Sequence, residues 1–151
     1  TLRKLKFLRN GGWTQATGKN NMHLESKKVT TGKSQQEMFE FLTNVENYEQ
    51  LMPESTQKFE VQAEDRFLFG LKGMPEIQLE IKETKEPELV VLGSTSEKLN
   101  FSLNIHIEAA EDQKSEVFME FDGEFNAMMA MMVKGPLQKF INTLSENAGK
   151  L

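Results

Sequence analysis

From Met22 onward, apolar side chains return at every second position through most of the chain. His23–Thr31 alternates loosely and reads as a first strand, broken by Gly32. Phe59 and Val61 mark a second, ending near Glu64-Asp65. Phe67, Phe69 and Leu71 mark a third, ending at Gly73-Met74-Pro75, and Ile77, Leu79 and Ile81 a fourth, ending near Pro87. Leu89–Ser96 is a fifth strand. Phe101, Leu103, Ile105 and Ile107 carry a sixth to Glu111-Asp112, and Val117, Met119 and Phe121 a seventh to Asp122-Gly123. Period-2 alternation puts these side chains on one face of each strand. The short connections predict antiparallel hairpins with one buried face and one wet face.

The period changes to a helical one in two places. Ser34-Gln35-Gln36-Glu37 is a capping box, in which hydroxyl and carboxylate each satisfy a free amide of the first turn. Met38, Phe41, Leu42 and Val45 follow at helical spacing. Asn44 can cap a second short helix carrying Tyr48 and Leu51, and Pro53 stops it at Met52. The chain then ends in a helix from about Asn126 to Asn147, capped by Asn126 and closed by Gly149. Phe125, Met129, Met132, Val133, Pro136, Leu137, Phe140, Ile141 and Leu144 project onto one face of it. Gly135-Pro136 predicts a kink there, because proline lacks the amide and crowds the carbonyl of Met132.

These elements define an α+β fold with a seven-stranded curved antiparallel sheet. Two short helices follow strand one, and the long C-terminal helix is the element available to cover the concave face. A closed, lipocalin-like barrel is the alternative, but it has no need of two capped helices after its first strand.

Composition narrows the chemistry. The 151 residues fit one domain. No cysteine is present, which excludes disulfides, thiolate metal sites and a cysteine nucleophile, and fits a reducing, cytoplasmic setting. The two histidines, His23 and His106, stand in no HxH or HExxH spacing, so no metal site and no cofactor is expected. The longest apolar run is too short for a bilayer span, so no integral membrane segment is expected.

Residues 1–21 differ from the rest. They hold Arg3, Lys4, Lys6, Arg9 and Lys19 without an acid, a Gly11-Gly12 pair and Trp13. They read as a disordered leader or artificial extension before a natural start at Met22, the alternatives being a basic arm and a secretory signal. Subtracting those five basic residues from 18 leaves 13, against 23 acids, in residues 22–151. A net charge of 13 − 23 = −10 repels phosphate backbones, so nucleic acid is not an expected partner.

Three local features give the chain a resemblance to the helix-grip superfamily of START-like, birch-pollen-allergen-like and coenzyme Q-binding or polyketide cyclase-like domains, often called SRPBCC. They are the capped helix Ser34–Leu42, the segment Asn47-Tyr48-Glu49-Gln50-Leu51-Met52-Pro53, and the last helix with Gly135-Pro136-Leu137 and Phe140. The match covers about residues 22–148. It implies a cavity between sheet and helix for a lipid, quinone, polyketide or other apolar molecule, without implying one activity.

Under that reading the expected lining is Phe67, Phe69, Leu79, Phe101, Leu103, Val117, Met119, Met129, Met132, Pro136 and Phe140. Tyr48, Met74 and Met128 are expected at the rim. Methionines suit an adaptable apolar surface, and Met128, Met129, Met131 and Met132 fall within five residues. Met128 and Met131 project toward the helix's polar side, as a pocket rim, a membrane-touching lip or a homodimer contact would require. No catalytic residue is assigned. His106 alternates outward with Asn100, Ser102 and Asn104, as do Glu80, Glu108, Glu116 and Glu120 on their strands. The expected function is binding or carrying a hydrophobic small molecule. The alternatives are a cyclase, dehydratase or hydrolase on the same fold, and a protein-interaction module.

Overall fold

The structure is a computed structural model and describes residues 19–95 and 100–151. The strands are β1 (Lys19–Glu25), β2 (Val29–Thr31), β3 (Thr56–Ala63), β4 (Arg66–Leu71), β5 (Ile77–Lys85), β6 (Leu89–Ser94), β7 (Asn100–Ala109) and β8 (Ser115–Asn126). They form one antiparallel sheet in the order β1-β8-β7-β6-β5-β4-β3, with β2 also paired to β8. Between β2 and β3 lie helix α1 (Gln35–Thr43) and a 3-10 turn (Val45–Leu51), and α2 (Ala127–Ala148) closes the chain. The short helical elements therefore carry the chain from one edge of the sheet to the other. The α+β expectation holds, with the curved sheet and the long terminal helix in their expected places.

The predicted first strand is two strands. Ser26 breaks it: the Ser26 amide donates to the Met119 carbonyl (2.9 Å), while the Ser26 hydroxyl accepts from the Met119 amide (2.8 Å). The hydroxyl takes over the role of a ladder carbonyl, so the β8 backbone stays satisfied across the break. Buried Ser145 of α2 donates its hydroxyl to the same Ser26 oxygen (2.8 Å), fastening helix to sheet. Regular pairing begins at Lys19 opposite Asn126, three residues ahead of Met22. Residues 1–18 of the expected leader, and Ser96 at the expected end of the fifth strand, lie outside the described residues.

Both helix starts follow the capping logic. The Ser34 hydroxyl accepts from the Glu37 amide (3.2 Å) and the Glu37 carboxylate accepts from the Ser34 amide (2.9 Å). Asn126 accepts from the Met129 amide (2.8 Å). α2 runs as one helix through Pro136. Its buried stripe is Val133, Leu137, Phe140, Ile141, Leu144 and Ala148. The stripe packs on β8, β1, β2 and the 3-10 turn. On the sheet side the core is Phe67, Phe69, Leu79, Leu92, Leu103, Ile105, Val117, Met119 and Phe121, all buried.

Candidate functional site

The interior between sheet and α2 is packed by aromatic rings in sequence. Tyr48 stacks on Phe67 (4.9 Å between centroids), Phe67 meets Phe69 (6.1 Å), and Phe69 stacks on Phe140 of α2 (4.9 Å). A second group joins Phe101 to Phe121 (5.1 Å) and Phe121 to Phe125 (6.2 Å). These spacings are those of rings in contact, which leaves no room for a guest between them. Of the expected lining, Phe67, Phe69, Leu79, Leu103, Val117, Met119 and Phe140 are therefore packed against their neighbours as buried core.

An apolar notch lies at one end of this layer. It is a notch of about 20 Å³ bounded by Met74, Pro75, Ile77, Phe101, Phe125, Met129, Val133 and Leu137. That volume holds about one water. Preformed ligand cavities run to about 300 Å³ or more. This notch is far smaller than that.

The notch draws on five parts of the fold. The β4–β5 turn supplies Met74 and Pro75, β5 and β7 supply Ile77 and Phe101, β8 supplies Phe125, and the first half of α2 supplies the rest. The turn is tight because Gly73 sits at φ +82°, a backbone angle that side chains disfavour, and the Met74 amide donates to the Leu71 carbonyl (3.1 Å). Phe101 reaches its place because its cross-strand partner is Gly123: a Cβ there would stand 2.8 Å from the Phe101 Cβ.

Three expected positions move outward. Met132 and Pro136 are exposed, because the buried stripe of α2 is narrower than a full face and both project about a quarter-turn or more away from it. Met128 is also exposed. Exposure reaches 73% at Met128, 85% at Met131 and 64% at Met132. Tyr48, expected at the rim, is fully buried in the core, and its hydroxyl donates to the Leu42 carbonyl (2.7 Å). Burial pushes that phenol far above its ordinary range. Phe101, Met129 and Met74 are the expected residues that do meet at the notch. The pairing of Pro75, Ile77, Phe125, Val133 and Leu137 with them went unread. The signal available for it was the helical face containing Phe125, Val133 and Leu137 together with the inward Ile77.

A broader, open depression of about 640 Å³ lies on the outer face of the sheet, among residues such as His23, Lys82, Gly93, Ser102, Asp122 and Glu124. Polar and apolar groups share its lining, Met22, Val91 and Phe101 among them. His106 is on this outer face as expected, half-buried and stacked on Phe118 (4.5 Å). His23 is exposed on the same face, and hydrogen bonds to Asp122 and Glu25 raise its pKa above the ordinary histidine value.

A sheet curled around one long helix, with two short helical segments crossing between its edges, defines the helix-grip fold. Comparison with solved structures shows that fold directly. The chain is similar to norcoclaurine synthase from Thalictrum flavum in complex with dopamine and hydroxybenzaldehyde, at 11% identity, a TM-score of 0.63, and 95% coverage of each chain. It is similar to a conserved protein from Geobacillus kaustophilus at 12% identity and a TM-score of 0.61, over 86% of this chain and 93% of the other. An uncharacterized protein from Bacillus thuringiensis matches at 9% identity and a TM-score of 0.60, over 84% and 98%. At these identities the likeness is one of fold. No protein-family model matches the chain, and no curated protein matches it in sequence.

Proposed function

We propose that the protein binds a hydrophobic small molecule, of the lipid, quinone or polyketide kind, at the notch between the Met74-Pro75 turn and the first half of α2. The observation that carries this reading is the coincidence of a wholly apolar notch with a methionine-rich helix end. Met74 and Met129 border the notch, and Met128, Met131 and Met132 stand exposed on the same half-helix. Three exposed methionines in five residues is an apolar surface left toward solvent. Methionine has three soft torsions and no branch, so the Met74 and Met129 side chains can swing aside to enlarge the notch. The ligand replaces their contacts as it enters, and gains roughly 25 cal/mol for each Å² of apolar surface removed from water.

The residues bordering the notch include no acid, base or nucleophile, which favours binding over turnover. The synthase of similar fold is in complex with dopamine and hydroxybenzaldehyde. That supports including aromatic molecules among the candidates.

Displacement of an environment-sensitive apolar fluorophore by a panel of fatty acids, quinones and polycyclic aromatics tests the proposal. Saturable displacement at micromolar concentrations is expected, abolished in Val133→Trp, whose indole fills the notch. No saturable binding by any member of the panel, or binding unchanged in Val133→Trp, contradicts it.

A further inference from the structure

The register of β1 on β8 and of β8 on β7 gathers both histidines of the chain and three carboxylates on the outer face of the sheet. His23 is paired with Asp122 and Glu25 with Glu120 across β1 and β8. His23 Nδ1 lies 2.6 Å from Asp122 Oδ1. Its Nε2 lies 3.0 Å from Glu25 Oε2 and 3.7 Å from Glu120 Oε2. The other oxygen of Glu120 is 2.6 Å from His106 Nε2.

The charge arrangement here differs from the rest of the sheet. Elsewhere on the outer face Glu108 and Glu80 meet cationic side chains, in Lys28–Glu108 (2.8 Å), Lys82–Glu80 (2.7 Å) and Arg66–Glu80 (3.2 Å). Among the described residues, Glu25, Glu120 and Asp122 form ion pairs only with imidazoles. Both ring nitrogens of His23 face carboxylate oxygens, and ionised carboxylates only accept. Asp122 accepts the Nδ1 proton; Nε2 donates to Glu25 while the ring is protonated, and on the neutral ring its lone pair points at two anions. A cation placed between them satisfies all three groups.

We propose that His23 Nε2, Glu25 and Glu120 form a binding site for a zinc-like divalent cation. The three donor atoms lie within 4.8 Å of one another. Donors about 2.0–2.1 Å from a tetrahedral zinc ion stand about 3.3 Å apart, and the separations of 3.0 and 3.7 Å bracket that value. Asp122 fixes the tautomer and orientation of His23, and His106 holds the second oxygen of Glu120, as outer-shell partners of metal ligands do. The fourth position faces solvent and is open to water. An imidazole in the donor set selects zinc over magnesium or calcium.

The test titrates zinc chloride into tag-free, chelator-treated full chain by calorimetry at about pH 8, where metal competes with few protons on histidine. One saturable site is expected, with zinc bound at least ~10-fold more tightly than magnesium. His23→Gln should abolish the site. Asp122→Asn, at a positioning residue, should weaken it ~10–100-fold. Glu108→Gln, on the same face, should leave it unchanged. Proton NMR of the two imidazole rings gives a readout without any variant: the His23 signals should shift in step with added zinc. No saturable zinc binding, zinc binding that survives His23→Gln, or magnesium bound as tightly as zinc overturns the proposal.

Discussion

Gly123 shows how one residue decides the end of the layer where the notch lies. Its missing side chain leaves room for Phe101, and a Cβ there would also come within 3.0 Å of the Phe125 ring. Gly123→Ala is therefore expected to displace the Phe101 ring and to destabilise the fold by about 1–3 kcal/mol through overpacking. Urea unfolding measures it, and a loss under about 0.5 kcal/mol, the scale of a neutral surface change, would show that the strand shifts freely. His23 and Glu120 illustrate the opposite end of legibility. They are 97 positions apart, and no local spacing announces that they meet; only the β1–β8 register brings them together.

At the scale of elements, the capping box of α1 was readable from Ser34 and Glu37 alone, because both partners lie within one turn. The Ser34 amide, and after it the Ser34 side chain, hydrogen-bonds the Glu37 carboxylate and holds its carboxyl below the usual range. A carboxyl depressed in the folded state contributes stability above its unfolded pKa, and that contribution is lost as pH falls through the folded value. Ser34→Ala is expected to cost about 1 kcal/mol near neutral pH. The gap to wild type should narrow as the solution is acidified below the ordinary glutamate range. Thermal midpoints at several pH values check this, and a gap that widens on acidification would contradict it. In α2 the apolar face was read as wider than it is. Met132 and Pro136 lie outside it; hydrophobicity alone does not say how much of a helix a sheet can cover. The helix touches the sheet along Val133, Leu137, Phe140, Ile141 and Leu144, and the flanking methionines are left outside. Replacing Met128, Met131 and Met132 together by Ser should change stability by no more than about 0.5 kcal/mol per site, as exposed positions do. The same triple variant should bind the apolar fluorophore more weakly than wild type. Unchanged binding would assign the exposed methionines no part in the site.

For the whole molecule, period-2 alternation and two capped helical stretches were enough to read the architecture, because the sheet needs a cover and α2 supplies it. The interior volume was not readable in the same way. Whether Phe67, Phe69 and Phe140 enclose a void or touch one another depends on distances of an ångström or two, which residue type does not encode; here they touch. Among the described residues, no helix is long and apolar enough to cross a membrane. The proposed binding site lies at one end of this packed layer. The most direct measurement is an NMR titration of ¹³C-methyl methionine protein with an apolar ligand from the displacement panel. Saturable shifts at Met74 and Met129, with Met38 and Met119 of the packed interior nearly unmoved, are the predicted result. Shifts confined to Met38 and Met119, or no methionine shift at ligand saturation, would contradict it.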